Sequence, residues 1–288
     1  MATAGQWVQG ARPRTLPAAV APVAAGTGAA AAVEALHPGR ALLALVVALA
    51  LQVGVNYAND YSDGVRGTDA DRVGPLRLVG SGAARPRAVR AAALVCFAVA
   101  ASAGLVLAAL TTWWLVLVGA GALVAAWFYT GGARPYGYRG LGEVSVFVFF
   151  GLVATVGTTF VQAERVTATS VLLGTGCGAF ACALLVANNL RDRDGDRLAG
   201  KVTLAVRLGD RRTRLLYAAL MVLPYAVLIP VSFVPVVVMV PMAALTVPVV
   251  RQVLRGATGA ELVEVLRYTG TLLLGYGLLL LVVLLLVE

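Results

Sequence analysis

The sequence predicts an all-α membrane protein, a single bundle of nine transmembrane helices, and three observations carry that expectation. Hydrophobic residues fill 60% of the 288 positions and charged residues only 13%, where about a quarter of a soluble chain is charged. The apolar residues gather into charge-free runs of membrane-spanning length. The basic residues fall almost wholly on one side of the resulting threading. A water-soluble globule, a disordered chain, a collagen-like repeat and a coiled coil are excluded, because none is apolar on every face.

Runs without Asp, Glu, Lys, Arg or His cover 15–33, 41–59, 91–133, 144–163, 166–190, 215–250 and 268–287. A spanning helix needs about 20 residues. The run 91–133 is too long for one span, and Thr111, Thr112, Trp113 and Trp114 suit a turn at the lipid headgroups. The run 215–250 divides in the same way between Pro230 and Pro235. Nine segments result, all helical, since in hydrocarbon each backbone group must be bonded within its own segment. Arg12 and Arg14 before the first run give it the look of a cleaved leader; its length, Pro17 and Pro22 within it and the following spans favour a retained helix.

Threading from a cytoplasmic N-terminus leaves the C-terminus outside and places 21 of the 23 Lys and Arg residues inside, with Arg40 and Arg165 outside. The expected location is the cell membrane, as a multi-pass protein. The net charge of +9 then reports topology, and no nucleic-acid partner is implied. No linker or low-complexity tail interrupts the chain, so residues 1–288 read as one integral-membrane domain. Cys96, Cys177 and Cys182 lie in apolar runs and read as small core residues, with no zinc or disulfide spacing.

The acidic residues concentrate where two predicted helices reach the cytoplasmic surface. Asn56, Asp60 and Asp63 stand at i, i+4 and i+7, and Asn188, Asp192 and Asp196 at i, i+4 and i+8, so each set shares one helix face. Stacked carboxylates repel unless cations intervene. Oxygen-only ligands select a hard cation, and Mg2+ fits, since it takes one or two carboxylates, keeps several waters and completes its shell with phosphate. Arg66, Arg72 and Arg77 beside the first cluster, and Arg191, Arg197 and Lys201 around the second, supply phosphate-binding charge. Together they describe a magnesium-bridged diphosphate site at the membrane surface, with the rest of the substrate lipid. Ionisation of an allylic diphosphate leaves a carbocation that needs electron-rich, water-free walls. Tyr61, Tyr129, Tyr136 and Tyr138 suit such walls, and suit interfacial anchoring equally.

Three stretches carry a family resemblance: Asn59, Asp60, Asp63, Gly67 and Asp69; Tyr129 to Gly132 with Pro135 to Glu143; and Asn188, Asn189, Arg191, Asp192, Asp196, Gly200 and Lys201 followed by Thr203 to Gly209. They resemble the UbiA superfamily of intramembrane prenyltransferases. Within it they are most similar to the branch that prenylates 1,4-dihydroxy-2-naphthoate in menaquinone biosynthesis, on the strength of the Gly67-x-Asp69 ending and the Gly-Lys-x-Thr-Leu-Ala-Val run. Gly74, Pro75, Leu76 and Arg77 depart from the family pattern.

The resemblance implies transfer of a polyprenyl group from a polyprenyl diphosphate to the aromatic acceptor, with decarboxylation and release of diphosphate. It implies Asp60, Asp63, Asp69, Asp192 and Asp196 as magnesium ligands. Lys201 joins Asp60, Asp63, Asp192 and Asp196 as catalytic, and Asn56, Asn59, Arg72, Tyr129, Arg134, Tyr138, Asn188 and Arg191 are the substrate contacts. No obligatory protein partner is evident. The alternatives are a related enzyme acting on another acceptor such as 4-hydroxybenzoate, a phosphatidyl-alcohol transferase, and a membrane transporter. A transporter should place its charges near the bilayer midplane on broken helices, whereas these stand at helix ends.

Overall fold

The computed structural model describes residues 2–67 and 76–286, and among them it contains helices and no strand. The chain opens on the short helix α1 (Ala4–Gly10), begun by a capping box in which Gln6 N donates to Thr3 Oγ1 and Thr3 N donates to Gln6 Oε1. Arg12, in the left-handed region at φ 53°, turns the chain through a 3-10 turn at Pro13–Thr15 into α2 (Pro17–Ala31). Then come α3 (Pro38–Arg66), α4 (Pro86–Leu110) and α5 (Leu115–Phe128). Pro17, Pro38 and Pro86 open their helices at the first position, where the missing N–H has no partner to lose. The predicted turn at 111–114 is present between α4 and α5.

After a loop holding a 3-10 turn (Tyr136–Arg139), α6 (Gly142–Val146) runs through a π-helical segment (Phe147–Val153) into α7 (Ala154–Ala163). The remaining helices are α8 (Ala168–Leu198), α9 (Leu204–Ala226, kinked at Gly209), α10 (Phe233–Leu254) and α11 (Gly259–Leu286). Every predicted run therefore contains a helical rod. By length and composition six of them can cross a membrane among the described residues: α3, α4, the continuous rod from α6 to α7, α8, α10 and α11. The other three rods are shorter or more charged. Helices α2 and α5 are apolar but only 15 and 14 residues long, about 22 Å against a hydrocarbon core of about 30 Å. The first half of α9 carries Arg207, Asp210, Arg211, Arg212 and Arg214.

Helix α8 is the central post. It packs against α2, α9, α11 and the π-helical segment, and its Phe180 meets Tyr276 of α11 edge-on at 5.4 Å between ring centroids. Small residues permit the close approach that association in lipid requires: a β-carbon on Gly151 would lie 2.5 Å from the Gly178 Cα. The π-helical segment is thereby pressed against α8. Cys177 and Cys182 are buried free thiols of this core and Cys96 is half-buried, in keeping with the sequence reading. At the end of the bundle remote from the acidic clusters, Arg40 ties helix ends together. Its guanidinium donates to Val161 O at 3.0 Å, Leu110 O at 2.9 Å and Glu164 Oε1 at 2.9 Å.

Candidate functional site

A cavity of about 940 Å³ runs between α2, α3, α5, the π-helical segment and α8. Its body is apolar, walled by Val47, Leu51, Leu107, Val118, Phe149, Phe150 and Val153, and its polar end is set with Arg12, Arg14, Asn56, Asn59, Arg77, Asn188 and Arg191. Tyr129 and Tyr136 line the wall nearby. Burial pushes the Tyr136 phenol above its usual range, against the opposing hydrogen bond to Ser145, so it stays protonated and donates to Ala125 O at 2.8 Å.

The polar end is assembled by hydrogen bonds from α3. Gln52 Nε2 donates to Thr15 Oγ1 at 2.9 Å, and Asn56 Nδ2 donates to Ala11 O at 2.9 Å and Thr15 Oγ1 at 3.0 Å. Gln52 and Asn56, one turn apart, thus hold the N-terminal hairpin so that Arg12 and Arg14 reach the cavity. One turn further on, Asn59 Oδ1 accepts from Thr130 Oγ1 at 2.7 Å, and Arg66 donates to the carbonyls of Thr130 and Gly132. These contacts fasten the loop after α5 to the end of α3.

Asp63 lies beyond this rim, a further helix turn or about 6 Å along α3 from Asn59. It is 4% exposed. Tyr138 donates to its Oδ1, while Lys201 Nζ and Arg77 approach its Oδ2 at 3.5 and 3.9 Å. Lys201 also stands 4.6 Å from the centroid of the Tyr138 ring. The linker after α8 brings Lys201 there, with Lys201 N donating to Asp196 O at 2.8 Å and Val202 N to Tyr138 O at 2.9 Å. On α8 itself Arg191 grips Asp192 through Nε at 2.7 Å and a terminal nitrogen at 2.8 Å, and the same nitrogen reaches Asn188 Oδ1 at 2.8 Å. One or two residues of each stretch singled out in the sequence, Asn59, Tyr129, Tyr136, Asn188 and Arg191, line the cavity, while Asp63, Tyr138, Asp192, Asp196 and Lys201 are not among its lining residues.

Asp60, expected to ligate metal, is fully buried here, and its two oxygens accept the backbone N–H groups of Leu78 at 2.7 Å and Val79 at 3.0 Å. It anchors the segment following the first motif, because that segment, and not the cavity, packs over this part of the α3 face. Arg134, expected to touch substrate, is exposed on the loop and takes no part in the cavity lining. Asp69 and Arg72 lie outside the described residues. Arg12 and Arg14, read from the sequence as topology charges, line the cavity, and so does Gln52. A glutamine inside an apolar run, one turn before Asn56, was the available signal for the last.

Among the described residues no three His, Cys, Asp or Glu side chains stand close enough to share one metal ion. The carboxylates at the two helix ends, Asp63, Asp192 and Asp196, would offer oxygen atoms only. A hard cation of the magnesium type, which needs only one or two carboxylates besides water and phosphate, fits that chemistry.

Comparison with known proteins identifies the family. Residues 19–262 match the model of the UbiA prenyltransferase family. The 1,4-dihydroxy-2-naphthoate octaprenyltransferase of Mycobacterium tuberculosis is 54% identical over 283 residues, covering 96% of each chain. The Escherichia coli protein of that name is 40% identical over 222 residues, covering 75% of this chain and 72% of its own. The fold is that of a UbiA homologue from Archaeoglobus fulgidus solved with DMAPP and Mg2+, at a TM-score of 0.67 and 16% identity over 96% of this chain and 99% of the other. With the family model spanning most of the sequence and a relative 54% identical over nearly all of it, this chain belongs to the UbiA prenyltransferase family.

Proposed function

We propose that the chain transfers a polyprenyl group from its diphosphate to 1,4-dihydroxy-2-naphthoate, with loss of carbon dioxide. The observation that carries this reading is the cavity itself, an apolar volume of about 940 Å³ whose one end is set with arginines and amides. A prenyl tail belongs in the apolar body, while a diphosphate and an acidic aromatic both belong at the basic end. The names of the 54% and 40% identical relatives support the naphthoate acceptor over 4-hydroxybenzoate. The charges stand at helix ends, as an enzyme at the membrane surface requires and a transporter does not.

Lys201, Arg77 and Arg191 would neutralise the diphosphate. Magnesium held by Asp63, Asp192 and Asp196 would stabilise the negative charge that develops as the diphosphate departs. Asn59 and Asn188 present amides to the same end. The apolar walls exclude water from the carbocation. The allylic C–O bond breaks, a C–C bond forms at the ring carbon bearing the carboxylate, and carbon dioxide leaves from that carbon. Nine spans are assigned, with the N-terminus and the site facing the cytoplasm and the C-terminus outside, because 21 of 23 basic residues then lie inside.

Purified protein with Mg2+, carboxyl-labelled 1,4-dihydroxy-2-naphthoate and a long polyprenyl diphosphate should release label and diphosphate in equal amounts. Prenylated product that keeps the label, or transfer only to 4-hydroxybenzoate, overturns the naphthoate assignment. No transfer to any aromatic acceptor overturns the reading as a whole.

A further inference from the structure

Glu143, the second residue of α6, has no part in the chemistry described so far. Its side chain is 7% exposed, with Oε1 accepting from Asn189 Nδ2 at 3.0 Å. Its Oε2 is buried and has no hydrogen-bond partner. A buried carboxylate oxygen in that condition is costly and calls for an explanation.

Tyr129 stands against the start of the same helix. It lines the cavity and packs edge-on against Tyr136, with ring centroids 5.5 Å apart at 88°. A β-carbon on Gly137 would come 3.2 Å from the Tyr129 ring, and one on Gly142 would come 2.9 Å from its hydroxyl oxygen. The phenol end of Tyr129 therefore lies against the residue that precedes Glu143. Gly137 N donates to the Tyr129 carbonyl at 3.0 Å, which fastens the main chain here.

We infer that Glu143 is a positioning residue for Tyr129: with substrate in the cavity, the phenol O–H beside Gly142 turns to the Oε2 that has no partner here, holding the hydroxyl against α6 and the ring face toward the cavity. Asn189 sets the orientation of the carboxylate by occupying its other oxygen, and so couples this wall to the second motif on α8. The inference rests on the prenyl-transfer reading. An allylic cation meeting the phenol oxygen would be captured by it, with a C–O bond formed and the phenol proton lost, and turnover would end. The ring face offers cation-π stabilisation without capture, and donation of the O–H to a carboxylate enriches the ring further.

A double-mutant cycle on the full-length protein with Mg2+, 1,4-dihydroxy-2-naphthoate and a polyprenyl diphosphate tests this. Glu143→Gln keeps an oxygen for Asn189 and removes the acceptor for Tyr129. It should lower kcat about tenfold with KM for both substrates within about twofold, the loss expected for one hydrogen bond to a charged group. In a Tyr129→Phe background the same change should cost less than about twofold, because the two residues act as one unit. An equal loss in both backgrounds, or an unchanged kcat, overturns the inference. Should Glu143→Gln not fold, Glu143→Asp in the same cycle has the same expected and overturning results. Absence of transfer in the unsubstituted protein would instead be a failure of the prenyl-transfer reading, so the two failures are distinguishable.

Discussion

The ends of α3 and α8 look like twins on paper, each presenting an asparagine and two aspartates along one helix face, yet they do different work. On α8 a neighbour on the same helix is in the column's contacts, since Arg191 holds both Asp192 and Asn188 at 2.7 to 2.8 Å. On α3 the column is shared out among neighbours. Asn56 holds the N-terminal hairpin, Asp60 holds the backbone at Leu78 and Val79, and only Asp63 faces Tyr138, Lys201 and Arg77. A helix face is a line about 10 Å long over two turns, and different segments of chain cross it at different heights. Shared periodicity therefore does not imply shared function.

The largest effect that sharpens this contrast is on turnover. Asp63→Asn and Asp192→Asn should each lower kcat about 100-fold or more, because each removes charge that supports the departing diphosphate. Steady-state assays at saturating Mg2+ measure it, and near-normal turnover in either variant would make that carboxylate a scaffold group. Asp60→Asn should act on stability instead. It turns an amide toward a backbone N–H in a buried place and costs about 2 kcal/mol, read by unfolding in detergent, while the folded fraction keeps kcat within about threefold. A fully folded Asp60→Asn protein without turnover would restore Asp60 as a metal ligand and erase the contrast.

A smaller effect tests the hairpin that the α3 column holds in place. Arg12→Ala should raise KM for an anionic substrate about tenfold, through loss of one charge-assisted contact, and substrate titrations of both substrates show which one. The smallest concerns Arg134. Because the loop carries it into solvent, Arg134→Ala should leave kcat/KM within about twofold, and a tenfold loss would show that the loop folds over the cavity during turnover. Labelling a cysteine at the exposed position Ser81 with a membrane-impermeant reagent tests the orientation common to both columns, and reaction from the cytoplasmic side is expected.

Arg12 and Arg14 mark one limit of reading the chain in one dimension. Their position before the first apolar run fully accounts for them as topology charges, and nothing in the local pattern says that Gln52 and Asn56, some 40 residues later, fold the hairpin back over the cavity. Glu143 marks another, since its interest lies in which of its oxygens is left open, a property of packing. The turn at 111–114, by contrast, was legible because Trp113 and Trp114 declare an interface whatever the rest of the chain does.

The sequence by itself determined the helical membrane architecture, the end of the bundle that carries the chemistry, the three motif stretches and the family they resemble. These follow from hydrophobic run length, charge asymmetry and residue spacing, all of which act locally along the chain. Only the tertiary structure decided that Asp60 accepts the backbone N–H groups of Leu78 and Val79, that Arg12 and Arg14 line the cavity, and that Arg134 does not. Those outcomes depend on which segments meet in space, and a buried oxygen or guanidinium takes whatever partner packing brings within about 3 Å.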